Sequence, residues 1–309
     1  MKLKGYLYAF LAAASYGTNP IFAKPLYADG MNPDSVLLFR YVLAVLVLIP
    51  IMIWNGYLRY RKDPANQSVG SAIAQTFRVG RHSVPQLIVM GILMALSSLT
   101  LFVSYNYMPV GIASTLLFVY PIMTALIMML CFGEKLSWLV LGCLLLACMG
   151  IALLCPLEEG TIDLSGDFFI GFLIVMLSGL SYAIYLVGLN KTRLRTIASQ
   201  PVTLYVLVFG TFVFVVRLLI SSPLSLPEHP IMWLNLLGLG LLPTIVSLVC
   251  TAKAIQYIGS TQTALLGAME PVTAVVLGVI ILSEAVSFRD ILGMILIFVA
   301  VTLVVCRRK

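Results

Sequence analysis

The side chains in this sequence that could do chemistry are few, and they are ionisable groups set inside apolar runs. Glu270 is the clearest case. It sits about ten residues into the run 260–282, immediately before Pro271. At 1.5 Å per residue that is roughly 15 Å into a hydrocarbon core of ~30 Å, near its midplane. An ionisable group there costs roughly 2.5–3.5 kcal/mol on insertion scales, so it needs a reason to be present. One reason is coupling: a carboxyl group at the midplane can take a proton from one side and release it to the other as water access alternates. The other is structural, an acid that holds its helix to a neighbour. Lys253, a turn from the inner end of the preceding run, could snorkel to the interface or lean toward Glu270. Arg40 lies six or seven residues into the run 34–54, roughly 10 Å deep. Its planar guanidinium could clamp a carboxylate or phosphate of a solute, or pair with Glu284. Lys24 and Arg217 lie near span ends, where snorkelling accounts for them, and Lys24 could equally serve a gate. Glu134 and Glu284 close their runs at C-terminal ends, where the helix dipole disfavours an unpaired acid; they read as structural caps or gate contacts.

Uncharged polar groups complete the set. Tyr16, Thr18, Asn19, Tyr120, Tyr182, Tyr185 and Gln262 are the expected lining of a substrate cavity, with Tyr105, Asn106 and Gln256 also inside spans. Asn19 precedes Pro20, whose missing amide loosens the first helix and frees a carbonyl for a ligand or water. Gly111, Ala113, Ser114 and Thr115, with Gly267 and Ala268, read as small residues that allow close helix packing. Enzymatic chemistry is not visible. The only two histidines, His82 and His229, fall in loops, and there is no phosphate loop, metal-spaced cluster or nucleophile elbow. No metal or other cofactor is expected. The six cysteines lie in or at the ends of apolar runs without a CxxC, as small packing residues do.

These groups need elements to position them, and composition says which. Only 10% of the residues are charged and 61% are hydrophobic, against about 25% charged in soluble domains, so the chain is a polytopic membrane protein. The net charge of +7 lies mostly in loops, and no nucleic-acid partner is implied. Ten apolar runs can be read, at 5–27, 34–54, 85–107, 110–132, 136–155, 167–190, 201–221, 231–257, 260–282 and 288–306. Each must satisfy its own backbone in lipid and is therefore a helix. Lys2, Lys4 and Ala12 to Ala14 imitate a signal peptide, but cleavage there would leave the first repeat a helix short. With the amino terminus in the cytoplasm, inner segments hold nearly all loop lysines and arginines, while outer ones clearly hold only Arg289. That bias puts both termini in the cytoplasm.

A shift of 150 residues lays 107–137 over 257–287, with Pro121 on Pro271 and Glu134 on Glu284, thirteen residues apart in both copies. Tyr120 falls on Glu270. Fixed-offset similarity marks duplication, and five passes per copy require the second half to insert inverted. The fold class is thus all-α integral membrane, ten helices as two inverted five-helix repeats around a central cavity, over about 1–155 and 160–309. The long loop 55–84 is basic. Val69, Ile73 and Phe77 inside it could form a short interfacial helix, or the segment could be a disordered linker.

Gly17-Thr18-Asn19 with Lys24, Phe39-Arg40-Tyr41, Tyr120-Pro121 with Gly133-Glu134, and Glu270-Pro271 with Glu284 resemble the ten-helix EamA-like branch of the drug/metabolite transporter superfamily. The likeness covers nearly the whole chain. It departs at the 55–84 loop and at Tyr16, where the family usually has Trp. The resemblance implies secondary transport of amino acids or other small metabolites, often as efflux, by alternating access between the halves. The expected protein is a multi-pass transporter of the inner (plasma) membrane, monomer or weak dimer, with a small-molecule substrate and the lipid bilayer as its partners, and protons as well if transport is proton-coupled. The rival reading is a non-transporting scaffold that uses the basic loop to hold a soluble protein.

Overall fold

The computed structural model describes residues 2–62, 68–108, 110–135, 137–154, 166–221, 223–282 and 287–306. Every predicted run is helical, and no strand occurs among the described residues. The first span is α1 (Lys2–Tyr16) followed by α2 (Asn19–Ala28). The second is α3 (Pro33–Lys62); the short α4 (Val69–Phe77) follows, and the third span is α5 (Val84–Ser104). The fourth is α6 (Val110–Leu117) with α7 (Tyr120–Phe132), and the fifth is α8 (Trp138–Leu154). The second half contains α9 (Gly166–Lys191) and α10 (Ser199–Ser221) as the sixth and seventh spans. The eighth is α11 (Met232–Gly240), a π-turn over Leu241–Val246 and α12 (Ser247–Ile258). The ninth is α13 (Ser260–Leu266) with α14 (Met269–Leu282), and the tenth is α15 (Phe288–Cys306).

Among the described residues, eight stretches are long and apolar enough to cross a bilayer, and α8, with 17 residues, is a shorter apolar helix. Large apolar side chains such as Leu130, Trp138, Leu219 and Ile280 are more than 70% exposed on the outside of the bundle. That surface suits hydrocarbon rather than water.

The inversion of the halves is visible in the packing. The second and seventh spans, equivalent in the two repeats, run antiparallel: Asp34 meets Arg217, Tyr41 meets Phe214 and Asn55 meets Gln200. The fifth and tenth do the same, with Gly150 against Ile297 and Leu154 against Gly293. A Cβ built on Gly150 would lie 2.7 Å from the Gly293 carbonyl oxygen, so both glycines are required for this crossing. The other main pairings also survive exchange of the halves. The first span packs on the eighth as the sixth packs on the third, and the third on the seventh as the eighth on the second.

Two expectations about the second span change. It continues as α3 to Lys62, 30 residues or about 45 Å, so it outruns the bilayer instead of ending near residue 54. Much of the supposed loop 55–84 is helical. Ser68 and Ser71 form a reciprocal capping box that starts α4, and Ile73 seats against Gly56 of α3. Val69, Ile73 and Phe77 therefore belong to a short helix tied to the bundle and not to a disordered linker.

Candidate functional site

Three spans break near their middles, each just ahead of a proline. The breaks lie at Gly17-Thr18 before Pro20, Phe118-Val119 before Pro121 and Gly267-Ala268 before Pro271. A proline withholds the N–H that would reach the carbonyl four residues back, and the chain answers with a tighter turn. Thr18 N–H donates to Ser15 O at 3.3 Å, Phe118 N–H to Thr115 O at 3.1 Å and Ala268 N–H to Leu265 O at 3.1 Å. Proline alone does not suffice, since α2 and α3 run on through Pro25 and Pro50.

The breaks touch one another. A Cβ on Gly17 would lie 2.7 Å from both the Glu270 carbonyl oxygen and Thr273 Cβ, so the first and ninth spans meet at their interruptions. Tyr120, at the break of the fourth span, places its hydroxyl against Gly267, where a Cβ would overlap it. Glu270 is in the first turn of α14, directly after the break.

Glu270 stands where three cavities meet. The largest, about 240 Å³, is walled by Tyr16, Asn19, Tyr105, Phe118, Glu270 and Ala274 among others. Two small voids lie behind it. One of about 20 Å³ is bounded by Tyr16, Ser97, Ser98, Tyr120, Tyr182 and Glu270; one of about 10 Å³ is bounded by Ala9, Tyr120, Tyr182, Thr251, Gly267 and Glu270. Each is on the scale of a single water, and each has polar partners to hold one. Tyr120 packs edge-on against Tyr182 with ring centroids 4.7 Å apart, and Tyr182 stacks on Tyr185 at 5.9 Å.

The main cavity draws its walls from the C-terminal parts of the first, third, fifth and ninth spans and the N-terminal part of the fourth. It therefore faces the end of the bundle opposite the amino terminus. The other end is sealed. Asn190 donates to Ser260 Oγ at 3.1 Å, Thr261 to Glu134 Oε1 at 3.3 Å, and Tyr6 to Gln262 Oε1 at 3.1 Å. The Lys253 ammonium rests 4.9 Å from the Tyr8 ring centroid, and Tyr8 stacks on Tyr257. The halves are thus asymmetric. In the seal α13 packs on α7, whereas the symmetry-related pair, α6 and α14, has the main cavity between its members.

The predicted lining residues divide accordingly. Tyr16 and Asn19 wall the main cavity, and Tyr120 and Tyr182 the voids beside Glu270. Tyr185 is buried in the core one ring behind Tyr182. Thr18 turns its hydroxyl back to Ser15 O at 2.7 Å, and Gln262 belongs to the seal. Lys253 engages Tyr8 in place of Glu270, and Lys24 is exposed on α2. Glu134 lies just past α7, after Gly133 has closed the helix in a left-handed turn (φ 63°), and its partner is Thr261. Glu284 lies outside the described residues.

Arg40 is the main revision. It is buried, yet absent from the walls of these cavities among the described residues. Pro243 in the π-turn cannot donate to Leu239 O, and the Thr244 hydroxyl does so in its place at 2.8 Å. Arg40 Nε then donates to Thr244 Oγ1 at 2.6 Å and Nη2 to Pro243 O at 3.1 Å. Its guanidinium lies 5.4 Å from the centroid of the Tyr16 ring, which separates it from the cavity. Sequence reasoning assigned Ser114 and Thr115 to packing alone, but both wall the cavity, and the Tyr105 hydroxyl lies 3.4 Å from Ser114 Oγ. Their small polar side chains at the break were the available signal.

The model of the EamA-like transporter family matches residues 3–155 and again 169–306. The chain belongs to the EamA-like transporter family. Its apolar helices make it a multi-pass membrane protein of that family. A protein of Synechocystis sp. (strain ATCC 27184 / PCC 6803 / Kazusa), named an uncharacterized transporter, is 30% identical over 221 residues, 69% of this chain. The match spans 64% of that relative's length. A solved crystal structure of a protein superposes with a TM-score of 0.76 over 97% of this chain and 96% of the other. At 15% identity that likeness establishes the fold alone.

Proposed function

We propose that this EamA-like transporter moves small organic solutes bearing an amine, amino acids or related metabolites among them, by alternating access, and that Glu270 exchanges a proton for the amine. The observation that carries the reading is the wall of the main cavity. Among its described residues Glu270 is the one carboxylate, and none is a lysine, arginine or histidine. A substrate ammonium would find a charge-assisted partner in Glu270 and aromatic faces in Tyr16, Tyr105 and Phe118. A substrate carboxylate would find no guanidinium, because Arg40 is committed to the π-turn.

A proton and an ammonium compete for the same carboxylate. With the cavity open, a proton from that side neutralises Glu270 and releases the amine. Closure would bring α6 and α14 together, as α7 and α13 are joined now, while the seal around Asn190, Ser260, Glu134 and Thr261 parts. Glu270 would then give up its proton on the amino-terminal side and accept the next amine. The voids beside Tyr120 and Tyr182 give that proton a polar route away from the main cavity.

Loop charges supply the direction. The positive-inside bias puts the amino terminus in the cytoplasm and the open cavity outside, so inward proton flow drives export. Cysteine labelling at Asn66 and Glu228 tests this, with inner reactivity expected at the first and outer at the second. The chemistry is tested with purified protein and a pH-indicator dye. Titration with small amines should release up to one proton per amine bound. Proton release that does not depend on the amine group would refute the exchange.

A further inference from the structure

A second sizeable cavity, of about 570 Å³, lies at the end of the bundle that carries the amino terminus, away from Glu270. It is built between the C-terminal turns of α3, the short helix α4 and the start of α10. Arg59 and Lys62 from α3 and Arg78 at the end of α4 wall it, together with the amides of Asn55, Gln75 and Gln200. No carboxylate among the described residues lines it, and none of the three cations forms an ion pair with a described acid. Ala198 and Gln200 bring the N-terminal turn of the 23-residue α10 to the same wall, and that helix end also favours an anion.

The wall is held in place. Thr76 Oγ1 donates to Met52 O at 3.3 Å and the Tyr205 hydroxyl to Phe77 O at 3.1 Å, tying α4 to α3 and α10. Gly56 lets α4 close on α3, since a Cβ there would lie 2.7 Å from Ile73 Cα. Charge bias alone would be met by cations spread through a loop. Here cations and amides converge on one concave surface.

Depth selects the ligand. Trp54, Tyr57 and Tyr60 follow one another along α3 with ring centroids 5.7 and 6.4 Å apart, and Trp54 and Tyr57 are exposed. Exposed aromatic residues of this kind sit at headgroup level. Arg59 and Lys62 are within one to two turns of them and so lie among the phosphates. We infer that the cavity between α3, α4 and α10 binds the phosphate-bearing headgroup of an anionic phospholipid from the adjacent leaflet. With the amino terminus in the cytoplasm this is the inner leaflet. The chemistry is that of basic pockets between spans: guanidinium forks and an ammonium on phosphate oxygens, with amides on the remaining acceptors.

The test is retention of added lipid by the purified full-length protein, read by native mass spectrometry and by thermal stability in detergent. Phosphatidylglycerol should be retained and should raise the melting temperature, while phosphatidylcholine should do neither. Arg59→Gln and Arg78→Gln should each weaken phosphatidylglycerol retention roughly fivefold, and the double variant more. Lys2→Gln, a cation at the same end outside the cavity, controls for general charge and should leave retention unchanged. Should the arginine variants fold poorly, Gln75→Leu and Gln200→Leu, which leave every charge in place, should still weaken retention. Equal retention of the two lipids, or equal loss in Lys2→Gln and the cavity variants, would overturn the site. Stabilisation by millimolar inorganic phosphate that matches the lipid effect would overturn the lipid assignment and leave a soluble-anion site.

Discussion

Gly267→Ala isolates the contact between the two repeats at the heart of the site. The backbone at Gly267 (φ −56°, ψ −24°) is one that alanine adopts freely, so no conformational penalty enters. Replacing glycine there would restrict the unfolded chain and stabilise by about 0.4–1 kcal/mol if space allowed. Space does not allow it. The added methyl would overlap the Tyr120 hydroxyl, with Ala264 O at 2.9 Å and Tyr120 Cζ at 3.1 Å behind it. Overpacking of this kind costs about 1–3 kcal/mol, so the net effect is a loss of roughly 1–2 kcal/mol. For a chain of this size that lowers the melting temperature by a few degrees, about 2–4 °C per kcal/mol. Tyr120→Phe removes the hydroxyl and leaves the ring, so Gly267→Ala should be less damaging in that background. A coupling of about 0.5–3 kcal/mol is expected from a fluorescence-detected melting cycle. Strictly additive losses, or a Gly267→Ala protein as stable as the native one, would refute the idea that the breaks of the fourth and ninth spans interlock.

Two further outcomes follow from other contacts. Thr244→Val removes the acceptor of Arg40 Nε and the donor to Leu239 O, and should cost about 1.5–3 kcal/mol, whereas Thr244→Ser should restore most of it in the same melting assay. The Asp29–His229 pair ties the turn after α2 to the segment before α11, and Asp29 Oδ2 also accepts from Glu228 N–H at 2.8 Å. The hydrogen bond with Asp29 lifts His229 above its ordinary 6.5, and the same bond lowers Asp29 below its ordinary 3.8. The pair therefore stabilises fully between those two ordinary values; its contribution fades as pH rises through the raised histidine value or falls through the lowered aspartate value. Melting curves of His229→Ala should lose this dependence on the alkaline side, and a native protein whose stability is flat there would contradict the pair.

The helices and their inverted pairing were legible because they follow from bulk properties: apolar run length, loop charge and the parity of five passes. The place of Glu270 part-way along the ninth span was legible for the same reason. What escaped reading depended on local backbone hydrogen bonding. Pro25 and Pro50 pass unnoticed through their helices while Pro20, Pro121 and Pro271 follow breaks, and Pro243 opens a π-turn. The difference lies in what satisfies the orphaned carbonyl, which periodicity does not encode. The partners of Arg40 were hidden on that account: they are a carbonyl and a hydroxyl placed by the widening of the eighth span. The end of α3 was set too early because Arg59, Arg61 and Lys62 resemble a loop, although as the last turn of a helix they suit its dipole. Gln262 and Lys253 were assigned by depth alone, and the packing of α1 against α12 and α13 draws them into the seal.

The central claim, that Glu270 exchanges its proton for an amine, is tested most directly by Glu270→Gln in proteoliposomes. Glutamine keeps the size and a carbonyl acceptor but has no titratable proton. Vesicles are loaded with a labelled amine, and its movement is followed with and without an imposed pH gradient. The account predicts that the variant folds but holds the amine weakly, as the protonated acid does, and that a gradient no longer drives net movement. Gradient-driven movement at the native level in Glu270→Gln would place the coupling elsewhere and contradict the account.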